Sequence, residues 1–344
     1  MDLEKLVRKN IYKLKPYSCA RDEFKGEASV YLDANESPYN NLYNRYPDPL
    51  QLRLKKQISK IKNINIEQIM LGNGSDECID LIFRIFCEPG IDNVVAIEPT
   101  YGIYKVFADV NNVEYRKAFL DENFQLNAEQ LLASTNENSK AIFLCSPNNP
   151  TGNLLNSSEM QKVIEDFSGI VVIDEAYIDF SDKPSWLNEL NKYENLIVLQ
   201  TFSKAWGLAS LRCGMAFASE EIIGFFNKVK YPYNISALVQ HTILDQLNSG
   251  HDCKNFWVKE TLNEREHLFT TLQTLPIVEK VYHSDANFLL VKVKNANEIY
   301  KSLVDGGIIV RNRSSIALCG NCLRITVGTK EENDKLLVSL KLLK

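Results

Sequence analysis

Between about residues 65 and 235 the chain alternates two hydrophobic patterns. Short continuous apolar runs, NVVAI at 93–97, AIFLC at 141–145, IVVID at 170–174, LIVLQ at 196–200 and GMAFA at 214–218, are separated by segments with helical spacing. Apolar side chains at consecutive positions mean that both faces of a strand are buried, as in a parallel sheet covered by helices on both sides. After about residue 236 the pattern changes. The segment NFWVKETLNEREHLFTTLQTL predicts a long helix, followed by strands near 279–282 and 287–293, a helix near 296–305, strands near 308–311 and 323–327, and a last helix. The expected fold class is therefore α/β, with a large domain over 46–235 built on a mostly parallel sheet covered by helices on both faces. A smaller α+β domain is expected over 236–344, with the N-terminal segment, 1–45, packing on it.

Composition narrows the classes of partner. With 344 residues, 45% hydrophobic and 24% charged, the chain is of ordinary globular composition, and about 150 residues per domain allows two domains. Lys+Arg 39 against Asp+Glu 44 gives a net charge of −5. Such a surface repels polyanions, so nucleic acid is not an expected partner, and an anionic ligand must be caught by a local cluster of arginines. The N-terminal MDLEKLVRKNIYKLKPYS has no continuous apolar core, so neither a signal peptide nor a membrane anchor is expected. Eight cysteines, Cys19, Cys78, Cys87, Cys145, Cys213, Cys253, Cys319 and Cys322, show no framework spacing, which suits a reducing compartment and a cytoplasmic location. Cys319 and Cys322 form a single C-x-x-C with no second pair, and read as two ordinary thiols near a strand. The four histidines, His241, His251, His267 and His283, show no ligand spacing, and no metal is expected.

Ligands of open α/β sheets sit outside the carboxyl ends of the strands. There AIFLC runs into SPNNPTG, IVVID ends at Asp174 and continues EAYIDF, and LIVLQ runs into TFSKAWGLASLRCG. Three successive strands thus deliver Asn149, Asp174 and Lys204 to one rim. A lysine amine, a carboxylate and an amide at one rim match the needs of a pyridoxal phosphate enzyme. Lys204 would carry the cofactor aldehyde as a Schiff base, Asp174 would keep the pyridine nitrogen protonated, and Asn149 with Tyr177 would reach the ring oxygen. The stretch LGNGSDECIDLIFRIF supplies a phosphate cradle, since Gly72 and Gly74 permit a tight backbone and Ser75, Asp76 and Glu77 open a helix. Glu77 stands where a G-x-G-x-x-G fingerprint requires its third glycine, which disfavours a dinucleotide site. Thr201, Ser203 and Arg212 can complete the cradle, and Tyr101 in PTYGIY can stack on the ring. Taken singly, each residue has a plainer reading as a helix cap, a solvated lysine or a rim tyrosine. Their combination favours the cofactor.

These motifs, together with LDANESPYN at 32–40, NRYPDP at 44–49 and LRITVGT at 323–329, give a chain that resembles the histidinol-phosphate aminotransferases over nearly its whole length. That family belongs to the fold-type I, aspartate-aminotransferase-like pyridoxal phosphate enzymes. The resemblance implies that Lys204, Asp174 and Tyr177 carry the catalysis. It assigns cofactor binding to Ser75, Asp76, Tyr101, Asn149, Thr201, Ser203 and Arg212. It also implies a homodimer, because Tyr46 in NRYP matches a tyrosine that reaches the phosphate of the partner subunit's cofactor. Substrate binding falls to Tyr17 in KPYSCAR, Asn149, Arg311 in IIVRNR and Arg324, with Arg313 as an additional candidate. The implied substrates are small anions, histidinol phosphate with glutamate or 2-oxoglutarate, in histidine biosynthesis. Trp206 and Ser210 depart from the family's usual Phe or Tyr and Gly. A threonine-phosphate decarboxylase or an aromatic or broad-specificity aminotransferase would keep nearly all of these motifs. A non-catalytic cofactor-binding protein is the reading from another class, and intact Lys204 and Asp174 weigh against it.

Overall fold

The computed structural model describes residues 2–17, 20 and 29–343. Cys19, with positions 1, 18 and 21–28 of the expected N-terminal segment, lies outside the described residues. Helices α1 (Leu3–Leu6), α2 (Lys9–Tyr12) and α3 (Leu52–Lys62) precede a seven-stranded sheet. Its strands are β1 (Ile69–Asn73), β2 (Asn93–Glu98), β3 (Glu114–Phe119), β4 (Ser139–Cys145), β5 (Ile170–Asp174), β6 (Leu196–Thr201) and β7 (Cys213–Phe217), in the order β1-β7-β6-β5-β4-β2-β3. All run parallel except β7, which is antiparallel to both of its neighbours. Helices α4 (Gly74–Phe86), α5 (Ile103–Val110), α6 (Ala128–Ala133), α7 (Ser157–Asp166) and α8 (Glu220–Val229) occupy the connections.

The unbroken apolar runs follow from cores on both sides of this sheet. Val171 and Ile173 of β5 join Val95, Ile142 and Val198 in one core, while Ile170 and Val172 join Val94, Phe143 and Ile197 in the other. Each fully buried side chain of this size contributes about 1.5–3 kcal/mol. The five runs coincide with β2, β4, β5, β6 and β7, and two strands escape the pattern. β1 turns polar and glycine-rich after Leu71, and β3 is an edge strand of which only Ala118 is buried.

Helices α9 (Ala237–Ser249) and α10 (His251–Leu272) lead to a four-stranded antiparallel sheet. It comprises β8 (Val278–Val281), β9 (Phe288–Val293), β10 (Arg311–Asn312) and β11 (Cys322–Thr326), in the order β10-β11-β9-β8. α11 (Ala296–Asp305) and α12 (Lys330–Lys341) complete this part, the latter opened by a Thr329/Glu332 capping box. Here the two faces differ. Leu289, Val291, Leu323 and Ile325 enter a core shared with Leu268, Leu303 and Leu337 of the helices. Leu290 and Cys322 instead join the core of the large sheet, and Phe288 packs with Tyr177 and Ala205. The strand expected near 308–311 is reduced to Arg311–Asn312, because Gly306 and Gly307, the latter at φ +76°, turn the chain immediately before it.

The start of the segment expected over 1–45 on the small domain lies on the large body instead: Leu3 and Val7 are buried in the core that holds Ile85, Phe86 and Phe226, and the Arg8 amide donates to Ile85 O at 2.9 Å. Their apolar positions fit the groove beside α4 and α8, where Tyr12 also stacks on Phe225 at 5.9 Å. Ile243 and Leu247 of α9 likewise share a core with Leu54 and Ile58 of α3. The two bodies are tied close to the rim. The Asp285 amide donates to Gly152 O at 2.7 Å, and the Asp285 carboxylate accepts from the Leu154 amide at 2.8 Å.

Candidate active site

The site begins where β1 passes into α4. Gly74 stands at φ +77°, and a Cβ there would lie 2.6 Å from Arg212 Nη2; a Cβ on Gly214 would lie 2.1 Å from the Ser75 nitrogen. Glycine at both positions lets the start of β7 press against the first turn of the helix. The Asn73 side chain does not cap α4, while the Asn73 amide donates to the Glu77 carboxylate. The amides at Ser75 and Asp76 therefore open the helix as anion donors. Around them Ser203 Oγ lies 3.0 Å from Thr201 Oγ1 and accepts from Arg212 Nη1 at 3.4 Å, and Arg212 Nη2 pairs with Asp76 at 3.3 Å. Two hydroxyls, a guanidinium and a helix N-terminus thus converge on one place.

Asp174, the last residue of β5, is the buried carboxylate of the rim. Tyr104 donates its hydroxyl to Asp174 Oδ2 at 2.7 Å, and the Ala176 amide donates to Oδ1 at 3.1 Å. Burial pushes the Asp174 carboxyl up from its ordinary range, and these two donors, with Lys204, oppose the push. Tyr104 is itself fully buried and stacked on Phe143 at 4.9 Å. Tyr101 meets Tyr104 edge-on at 5.7 Å and donates to Asp76 at 3.4 Å; burial pushes its phenol up to about 12.

Lys204 follows β6 and reaches into the cleft, with Nζ 5.5 Å from the centre of the Tyr177 ring. The residue stays open on the cleft side, yet the burial around its ammonium pulls its pKa down; the Arg324 charge adds to this, and Asp174 and Asp76 oppose it. From the small sheet Arg324 donates to Asn149 Oδ1, and Asn149 Nδ2 donates to the Tyr177 hydroxyl at 3.4 Å. Arg324 lies over Phe288 at 5.4 Å, opposite Arg311 in the strand register. Lysine, buried aspartate, amide, phenol and guanidinium therefore surround one cleft between the sheets.

A family model described as aminotransferase class I and II matches residues 22–340. The chain belongs to the class I and II aminotransferases. A histidinol-phosphate aminotransferase of Bacteroides thetaiotaomicron is 60% identical over 98% of this chain and 98% of its own. Among solved structures, the histidinol-phosphate aminotransferase from Clostridium acetobutylicum superposes with a TM-score of 0.81 at 24% identity, covering 88% of this chain and 91% of that one. The Sinorhizobium meliloti enzyme, solved in complex with pyridoxal-5'-phosphate, has a TM-score of 0.79 at 22% identity, covering 87% and 82%. These two likenesses show the shared fold.

In this aminotransferase the structure gathers Ser75, Asp76, Tyr101, Asn149, Asp174, Tyr177, Thr201, Ser203, Lys204, Arg212 and Arg324 around one cleft, with Arg311 beside Arg324. Two candidates stand apart. Tyr17 is 72% exposed, and Tyr46 stacks on Tyr233 at 4.4 Å with half of its surface exposed. Tyr104 is the residue that sequence reasoning missed. Its signal was available, since it lies three positions after Tyr101 in PTYGIY, although such spacing on a helix commonly marks a core residue. The donor set fits a phosphorylated pyridine aldehyde: a cradle that a Cβ on Gly74 or Gly214 would fill, a buried carboxylate and a lysine with depressed pKa.

Proposed function

We propose that this aminotransferase moves the amine of L-histidinol phosphate to 2-oxoglutarate, giving imidazole-acetol phosphate and L-glutamate in histidine biosynthesis, with pyridoxal 5'-phosphate as cofactor. The observation that carries the reading is 60% identity to a histidinol-phosphate aminotransferase over 98% of both chains. When bound, pyridoxal phosphate supplies an electron sink that lets the amine-bearing carbon lose its proton. Ser75, Asp76, Thr201, Ser203 and Arg212 hold the cofactor's phosphate, and Asp174 holds the proton on its ring nitrogen. Tyr104 and the Ala176 amide hold that carboxylate in place and oppose the upward push of burial on its pKa. Asn149 and Tyr177 orient the ring oxygen, and Tyr101 covers the ring. Lys204 anchors the cofactor and moves the proton at the substrate's amine-bearing carbon. Burial and the Arg324 charge lower its pKa, the direction that favours the neutral amine a general base requires. Arg324 and Arg311 hold the substrate anion.

The working unit is a homodimer. Val30, Leu32, Tyr39, Leu42 and Tyr43 are each at least 62% exposed, an apolar surface suited to a second copy, and the pairing brings Tyr46 to the partner subunit's cofactor phosphate. The seven described cysteines are free thiols, which accords with work in the cytoplasm. Purified protein supplied with histidinol phosphate and 2-oxoglutarate should form glutamate stoichiometrically without carbon dioxide. Carbon dioxide release, or faster turnover of an aromatic amino acid than of histidinol phosphate, would overturn the assignment.

A further inference from the structure

The edge of the small sheet carries more positive charge than the reaction described above employs. Arg311 pairs with Arg324 and Asn312 with Leu323 across the antiparallel ladder, and the Arg313 amide extends it by donating to Cys322 O at 2.8 Å. Side chains directly opposite share a face, and residues two apart along a strand share it too. Arg311, Arg313 and Arg324 therefore lie on one face. It is the face of Leu290 and Phe288, turned toward the large sheet, since Leu289 and Leu323 supply the other face to the helical core.

Among the described residues no carboxylate pairs with Arg311, Arg313 or Arg324. Two polar atoms of the cluster, Arg313 Nε and Arg324 Nε, are buried without a hydrogen-bond partner. Burial lowers the pKa of Arg313, and the charges of Arg324 and Arg311 lower it further, so the three guanidinium groups repel one another at close quarters. Unpaired buried donors and mutual repulsion both destabilise a fold, and an anion seated among them would relieve both. A carboxylate brings one negative charge and two acceptor oxygens, whereas a phosphate monoester brings close to two charges and three terminal oxygens near neutral pH.

The geometry points to Arg313 as a specificity-determining group that, beside Arg311 and Arg324, recognises the phosphate monoester end of the amine donor. This rests on the proposed function and names the group that separates the phosphorylated substrate from glutamate. Arg324 serves both substrates, and Arg313 favours the dianion.

The test uses holoenzyme of the wild type, Arg313→Gln and Arg313→Lys. Single-turnover rates are followed with histidinol phosphate and with glutamate, and inorganic phosphate is titrated as an inhibitor of the glutamate half-reaction. For Arg313→Gln the specificity constant for histidinol phosphate should fall at least tenfold more than that for glutamate, and the inhibition constant of inorganic phosphate should rise by a similar factor. Arg313→Lys should recover part of the loss, since it keeps the charge and loses the planar fork. Equal losses in the two half-reactions, or unchanged inhibition by phosphate, would overturn the inference. If wild type ignores histidinol phosphate while phosphate still inhibits through Arg313, the functional assignment fails and the phosphate site stands. If wild type uses histidinol phosphate and Arg313→Gln uses it equally well, the site fails and the assignment stands.

Discussion

Along β5, Ile170 and Val172 enter one core while Val171 and Ile173 enter the other; along β9, Leu289 and Val291 enter a helical core while Phe288 and Leu290 face the large body. The interior strands of the large sheet are thus apolar on both faces, and their charged groups stand at or beyond strand ends, as Asp174 does at the end of β5 and Lys204 just after β6, whereas the edge strand β3 carries Arg116 and Lys117. The small sheet has one face free of its own helices, so it can carry Arg324 in the middle of a strand, aimed across the cleft at Asn149. Burying an unpaired charge within the large sheet would cost several kcal/mol. The contrast separates two tasks. Under the proposed function, groups at the carboxyl rim of the large sheet would manage the proton and the cofactor, and the arginine face of the small sheet would hold the substrate's anionic end.

The largest expected effect lies on the rim. Lys204→Ala should slow both half-reactions by roughly 10²–10⁴-fold or more, the range of a positioned proton-transfer group. Its circular dichroism and melting temperature should match wild type, because Lys204 projects into the cleft and supports no core. Wild-type turnover in this variant would remove the rim from the chemistry.

Tyr104→Phe deletes the 2.7 Å hydrogen bond to Asp174 while keeping the ring on Phe143. A hydrogen bond to a charged acceptor contributes about 1.5–3 kcal/mol. Cofactor affinity, measured by equilibrium titration of the apoenzyme, should weaken by roughly ten- to hundredfold, and inhibition by inorganic phosphate should stay as in wild type. A change in phosphate inhibition with no change in cofactor affinity would show that the two tasks are not separated in this way.

The smallest effect is a shift along the pH axis. Arg324 lowers the Lys204 pKa, so Arg324→Gln should make that amine more basic. Cofactor uptake by the apoenzyme requires the neutral amine, and its acid limb should therefore move to higher pH in the variant. Asp174 raises the Lys204 pKa, so Asp174→Asn should move the limb the opposite way. Stopped-flow absorbance across a pH series measures both, and shifts in the same direction would contradict the electrostatic account.

Much of this was legible in the sequence because parallel strands buried on both faces write themselves as unbroken apolar runs, and the residues after them are the rim. IVVID announced Asp174 and LIVLQ announced Lys204 in this way. β3 was illegible because an edge strand needs little apolar surface, and EYRKAF reads as a polar segment. β1 was hidden by the glycines that make the cradle close-packed. The placement of Leu3 and Val7 depends on a groove formed by distant residues such as Phe86 and Phe226, which no local pattern reports. Tyr104 was visible as a tyrosine but not as the donor to Asp174, since that bond joins residues 70 positions apart.

The division between rim and arginine face is tested most directly by Arg324→Ala in the holoenzyme. Single-turnover rates with histidinol phosphate and with glutamate are measured while cofactor retention is followed by absorbance. The account predicts that both half-reactions lose roughly ten- to hundredfold in specificity constant, the effect of one charge-assisted anchor, while the cofactor stays bound with its absorbance unchanged. Loss confined to the glutamate half-reaction, or release of the cofactor, would contradict it.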